Sequence, residues 1–134
     1  MGETICLQEQ FAAMYLNRAN KVLGVNVLSV GGITGTVVDI RLTISIALKS
    51  AATSILLCHN HPSGNLKPSN PDIELTTKIK QAAELFDIKL IEHLIITSES
   101  YYSFHWLCKE VLSGIPMFYL YLKTPQSTCG ASTN

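Results

Sequence analysis

Apolar residues fall along the chain in short dense blocks separated by clusters of turn formers. Phe11 to Leu16 is an apolar run after a polar opening and predicts a strand. Asn17-Arg18-Ala19-Asn20 is a turn cluster, and Lys21 to Val30, rich in Val and Leu, predicts the returning strand. Gly24 inside that strand marks a bulge or a close backbone approach. Gly31 to Thr36 is a glycine-rich loop. From Val38 to Ser50 the apolar density fits either period, and the length with the Ala-Leu-Lys ending favours a helix under the sheet.

Ser54 to Cys58 (SILLC) predicts a short buried strand, and His59 to Ser69, with two Pro, one Gly and two Asn, predicts a loop. A helix then starts near Asn70, with Ser69 as N-cap and Pro71 in the first turn. Its expected inner face is Ile73, Thr76, Ile79, Ala83 and Leu85 or Phe86. Ile88 to Thr97 predicts a central strand, and Tyr101 to Phe104 an edge strand after the Ser98-Glu99-Ser100 turn. Strand, strand, helix, strand, helix, strand, strand predicts an α/β sandwich, a mixed sheet flanked by helices. The final KTPQSTCGASTN is polar and expected to be a disordered tail, after an aromatic run (Met117 to Leu122) that reads as an interface strand or a hydrophobic patch.

Composition narrows the function classes. A chain of 134 residues fits one domain, and 47% hydrophobic against 15% charged residues is enough for a core. Ten basic residues balance ten acidic ones, so the chain as a whole lacks the basic excess of a dedicated nucleic-acid binder. Cys6, Cys58, Cys108 and Cys129 form no CxxC pair and read as free thiols in a reducing compartment. No signal-peptide pattern and no apolar stretch of about 18 residues occurs. The expectation is a cytoplasmic protein without a membrane segment; the oligomeric state is not readable.

The chemistry lies after the SILLC strand. Residues two apart on an extended chain share a face, so His59 and His61 can aim at one point, while Cys58 points away and is excluded as a ligand. Asp72, eleven residues after His61, stands in the first turn of the next helix. Two imidazoles and one carboxylate leave a fourth tetrahedral position for water, the catalytic pattern for zinc. A base must take the proton of that water. Of the two Glu before the His pair, Glu9 adjoins the first strand and is preferred to Glu3. Ser69 and Asp72 also read as a Ser-x-x-Asp capping box, and Asp72 can cap and ligate with one oxygen each. His93, inside an apolar strand, reads as a satisfied core histidine or a partner to a ligand. Lys67 reads as solvated, and Cys58 as a small core residue.

His59-x-His61-Pro62, then Ser69-x-x-Asp72, resembles the JAMM (MPN+) metalloprotease signature. The fuller string HNHPSGNLKPSNPD, with LNRANKVLG, GTVVDIR and EHLIIT, resembles the RadC family over about residues 7 to 104. The resemblance implies a cytidine-deaminase-like α/β sandwich over residues 1–110, with 111–134 an atypical segment. It implies zinc on His59, His61 and Asp72, Ser69 steadying the water or the oxyanion, and Glu9, two residues before Phe11, as the base. Three features depart from that family. No helix-hairpin-helix segment appears, Glu92 stands where Asp is usual, and after Ser103-Phe104 an acidic, Gly-containing ending gives way to HWLCKEVLSGIPMFYLYLKTPQSTCGASTN.

The function expected is hydrolysis of a peptide or isopeptide bond, with a peptide or protein as substrate. The rival readings are a DNA-repair-associated nucleic-acid-binding protein, a RadC-type metal-dependent nuclease, and a pseudo-enzyme that kept the fold. Zero net charge counts against the first, and retention of all three ligand types counts against the last.

Overall fold

The computed structural model describes residues 8–31 and 37–104. Five strands and two helices follow in the predicted order: β1 (Gln10–Leu16), β2 (Val22–Val30), α1 (Ile40–Lys49), β3 (Ser54–Asn60), α2 (Asn70–Glu84), β4 (Lys89–Ile96) and β5 (Tyr101–Ser103). The strands form one mixed sheet in the order β2-β1-β3-β4-β5. Only β3 and β4, joined through α2, run parallel; the other neighbours are antiparallel. Residues 32–36 of the expected glycine-rich loop, Glu3, the aromatic run, the tail and three of the four cysteines lie outside the described residues.

The strand alternation sorts side chains onto two faces. Phe11, Ala13, Tyr15, Ile55 and Leu57 pack with Ile44 and Ala47 of α1 and Ile79 and Ala83 of α2. Both helices therefore cover the same face. Met14, Leu16, Leu56, Cys58, Leu94 and Ile96 form a second buried cluster on the other face. Every residue of β3 is buried. Each buried Leu or Ile there contributes about 1.5–3 kcal/mol, so the middle strand is firmly held on both sides. The Tyr15 hydroxyl donates to the Thr43 carbonyl at 3.0 Å and ties β1 to α1, and burial pushes its pKa up to about 12.

Several expectations change in detail. β3 runs two residues beyond SILLC, because His59 and Asn60 still pair with Ile95 and Ile96 of β4. α1 begins at Ile40, capped by the Asp39 side chain accepting from the Arg41 N–H at 2.8 Å. On α2 the inward residues are Thr76, Ile79 and Ala83, whereas Ile73, Leu85 and Phe86 are exposed. Ile73 lies in the first turn, off the buried stripe, and the helix ends at Glu84 before Leu85 and Phe86 can face inward. There the chain turns through Asp87 at φ 56°. Leu23 is left unpaired between the Tyr15–Gly24 and Leu16–Val22 pairs, so the irregularity hinted at by Gly24 falls beside it. A Cβ at Gly24 would meet nothing within 4 Å, which removes the close-approach alternative.

Candidate metal centre

The site sits at the carboxyl end of β3, where the parallel β3–α2–β4 unit opens. Crevices at this end of a strand are the usual place for ligands in α/β sheets. His59 is fully buried on the helix-covered face, and Asn60 is fully buried beside it. The His61 N–H donates to the Ile96 carbonyl at 2.9 Å, so the chain stays extended for one more residue. The two imidazoles therefore converge, with their Nε2 atoms 2.8 Å apart. Pro62 then starts a turn closed by the Gly64 N–H donating to the His61 carbonyl at 3.0 Å. Gly64 has φ +80°, a left-handed conformation that suits glycine. The turn brings the Asn65 carbonyl to 2.7 Å from His61 Nδ1.

Asp72 arrives from α2. Ser69 Oγ accepts from the Asp72 N–H at 3.2 Å, and the Asp72 carboxylate accepts from the Ser69 N–H through Oδ2 at 2.8 Å. This reciprocal capping box fixes the carboxylate at the start of the helix. Asp72 Oδ1 lies 3.4 Å from His59 Nε2, and Oδ2 lies 3.4 Å from His61 Nε2. The three donors lie within 4.8 Å of one another and could hold a metal ion. Two imidazole nitrogens and a carboxylate suit a divalent transition metal.

The electrostatics favour a cation at this point. Burial alone would raise the pKa of Asp72, but the facing His59 and His61 rings and the Ser69 N–H together hold it well below the usual carboxylate range. The Asp72 carboxylate raises the pKa of His61 against burial, with smaller help from the Asn65 carbonyl and the charge of Glu9. The site is thus an anionic group facing two nitrogens.

A cleft of about 520 Å³ opens on the centre. Glu9, His61, Ser69 and Asp72 stand in its wall, with Asn65 and Lys67 further along. The structure therefore brings all five sequence-selected residues to one place, with His59 buried behind His61. Cys58 faces the opposite cluster, and burial pushes its thiol up to about 12.

Two further features support the ligands: Asn60, which the sequence reading passes over, and His93, which it reads as a core histidine or a partner to a ligand. Asn60, the middle residue of His-x-His, reaches across to the segment that carries Glu9. Its Oδ1 accepts from the Gln10 N–H at 2.6 Å and its Nδ2 donates to the Gln8 carbonyl at 2.8 Å. It thus clasps the backbone on both sides of Glu9, whose own carbonyl accepts from the Gly31 N–H at 2.7 Å. The second feature is behind His59. His93 Nε2 lies 2.7 Å from His59 Nδ1, and His93 Nδ1 lies 2.6 Å from Thr76 Oγ1. Phe104 stacks on the His93 ring at 4.8 Å between centroids, and Phe11 stacks on His59 at 5.5 Å. Buried Glu92 holds this end of the sheet together. It accepts from the N–H groups of His93 (2.9 Å) and Phe104 (3.1 Å) and from the Ser103 hydroxyl (2.7 Å). The departure from Asp at this position is thus absorbed by a fully partnered side chain.

Comparison with known proteins agrees with these features. The family model described as "RadC-like JAB domain" matches residues 1–110. A UPF0758 protein of Flavobacterium johnsoniae is 52% identical over 96 residues, which is 72% of this chain and 42% of the relative. UPF0758 proteins of Streptococcus gordonii and Porphyromonas gingivalis are each 41% identical, over 97 and 98 residues, covering 72% of this chain and 43% of theirs. The chain spans less than half the length of these curated relatives.

Proposed function

The chain belongs to the RadC-like JAB domain family, a JAMM-type group of metal-dependent hydrolases, and from this premise we propose that it is a zinc hydrolase of peptide or isopeptide bonds. The observation that carries this is the convergence of His59, His61 and Asp72 at the head of a cleft that also holds Glu9 and Ser69. For zinc bonds near 2.0–2.1 Å, the edge of a tetrahedron is about 3.3–3.4 Å. Each histidine Nε2 lies 3.4 Å from a different oxygen of Asp72, and the two Nε2 atoms lie 2.8 Å apart, so the nitrogens would have to spread by about half an ångström to reach that spacing around one ion. Three protein ligands would leave one position of a tetrahedral ion for water, and His61 and Asp72 stand in the cleft wall. We also read the sheet and its two helices as the cytidine-deaminase-like form of the α/β class, and the protein as cytoplasmic.

When bound, zinc lowers the pKa of a coordinated water towards about 7 and polarises the scissile carbonyl. The residues of the chain do the rest. Glu9, held by Asn60 at the rim, accepts the proton of the attacking water and delivers it to the leaving amine. The Ser69 hydroxyl, fixed at the helix N-terminus, donates to the oxygen that gains negative charge. Asp72 supplies the balancing charge while its capping bonds keep it from swinging away. The cleft takes an extended peptide past His61 and Asn65.

Elemental analysis of the purified protein is the first test. About one zinc per chain is expected in the wild type and little in His61→Ala. An unbiased peptide and isopeptide cleavage screen is then expected to lose its signal in His59→Ala. Absence of zinc in the wild type, or cleavage that survives His59→Ala, refutes the proposal. No helix among the described residues is long and apolar enough to cross a membrane.

A further inference from the structure

We infer that His93 and Thr76 are positioning residues for the metal centre: they lock His59 in the tautomer whose Nε2 lone pair faces the metal. The inference rests on the metal-site reading above and extends it inward, to two residues that touch neither the metal position nor the cleft.

The argument is an accounting of hydrogens along one chain of contacts. The Asp72 backbone carbonyl can only accept, and Thr76 Oγ1 lies within hydrogen-bond distance of it. The Thr76 hydroxyl has one hydrogen, and this acceptor takes it. Thr76 Oγ1 must then accept from its other partner, His93 Nδ1, at 2.6 Å. So His93 carries its proton on Nδ1. The His93 ring is fully buried against Phe11 and Phe104, and its hydrogen-bond partners, Thr76 and His59, are not anions, so it carries this one ring proton and no second. Its Nε2 is therefore an acceptor. At 2.7 Å, His59 Nδ1 must be the donor. A His59 ring with its one proton on Nδ1 has a bare lone pair on Nε2, the atom that points at Asp72 and His61.

His61 reaches the same state by a shorter route. Its Nδ1 donates to the Asn65 carbonyl at 2.7 Å, which leaves its Nε2 as the lone-pair atom. Two lone pairs 2.8 Å apart, with a carboxylate 3.4 Å from each, need a positive charge among them. The interior wiring therefore builds a demand for a cation before any cation arrives. The chain of contacts also returns to its start. Thr76 binds the main chain of Asp72 one helical turn earlier, so the group that orients one ligand also fixes the backbone of another. Phe11 and Phe104 hold the two rings in plane against rotation.

The test uses the full chain and zinc as the probe. Zinc affinity is measured by competition with a chromophoric chelator, and the His59 tautomer by nitrogen-15 NMR of the metal-free protein. His93→Leu removes the acceptor and is expected to weaken zinc binding about 10- to 100-fold. His93→Gln keeps an acceptor oxygen near His59 Nδ1 and is expected to recover most of that loss. Thr76→Val keeps the shape, removes the hydroxyl, and is expected to weaken zinc several-fold. In the wild type the His59 resonances are expected to show a protonated Nδ1. Unchanged zinc affinity in folded His93→Leu or Thr76→Val overturns the inference, as does a His59 with Nδ1 bare. If His93→Leu fails to fold, Thr76→Val and the wild-type tautomer decide. If the wild type binds no zinc, the metal reading fails on its own, while the NMR measurement still tests the wiring.

Discussion

Replacing Asn60 with Ala tests whether the residue between the two histidines is a clamp on Glu9. The substitution removes the hydrogen bonds to Gln10 and Gln8, at 2.6 and 2.8 Å, from a side chain with no solvent exposure. The Gln8 carbonyl lies on an exposed residue and can turn to water, so its loss costs about 1 kcal/mol. The Gln10 N–H is half-buried and loses its acceptor, which costs about 1–3 kcal/mol. The sum is about 2–4 kcal/mol. At about 4 °C per kcal/mol for a domain of this size, Tm falls by about 8–16 °C. Exposed Asn26 on β2 gives the control, and Asn26→Ala is expected to stay within about 0.5 kcal/mol of wild type. Differential scanning calorimetry measures both. Amide hydrogen exchange adds a local readout: the Gln10 amide loses protection, while zinc content stays near wild type because no ligand is touched. Once a substrate is in hand, hydrolysis falls towards the level of Glu9→Gln, and the double variant shows no further loss. A Tm shift no larger than that of Asn26→Ala, or an unchanged Gln10 exchange rate, refutes the clamp.

Zinc affinity is expected to weaken as pH falls, because zinc must displace a proton from His61. Asp72 raises that pKa, so the decline begins above the ordinary histidine value of about 6.5 and then follows about tenfold per pH unit; Asp72 stays ionised and adds nothing in that range. A titration at fixed ionic strength checks this, and an onset below pH 6 counts against it. Ser69→Ala is expected to cost about 0.5–2 kcal/mol through the lost cap, and Ser69→Asn to restore stability but not catalysis; parallel recovery of both would assign Ser69 to capping alone. Glu92→Ala removes the carboxylate that accepts from His93, Ser103 and Phe104, whose N–H keeps the His93 carbonyl, and is expected to lower stability by about 2–4 kcal/mol. Thermal unfolding measures it, and a shift under about 1 kcal/mol would show that the carboxylate holds nothing together.

What was legible in the sequence followed from local rules. The two-residue period placed His59 and His61 on one face and sent Cys58 to the other, and the structure has Cys58 in the cluster opposite the helices. The Ser-x-x-Asp spacing specified a helix start, which is why Asp72 arrives with its backbone already capped. The element order was readable because each block ended on its own turn chemistry. The misjudged residues depend on information that no local window holds. Ile73 and Phe86 have the right period for the buried face, but α2 reaches the sheet only from Thr76 to Ala83, and how far a helix covers a sheet is a tertiary property. β3 outran its apolar run because ladder pairing with β4 tolerates His and Asn where each has a partner. Asn60 goes unread in the sequence, and His93 is read as a core histidine or a partner to a ligand without its partner being identified. Each is a polar residue in an otherwise buried strand, and burial without a partner costs several kcal/mol. Each therefore implies an unseen partner: for Asn60 the backbone around Glu9, and for His93 a ring 34 positions earlier in the chain. A buried polar residue beside a ligand motif is thus a sequence signal in its own right, since it marks where the fold has had to build support for the site.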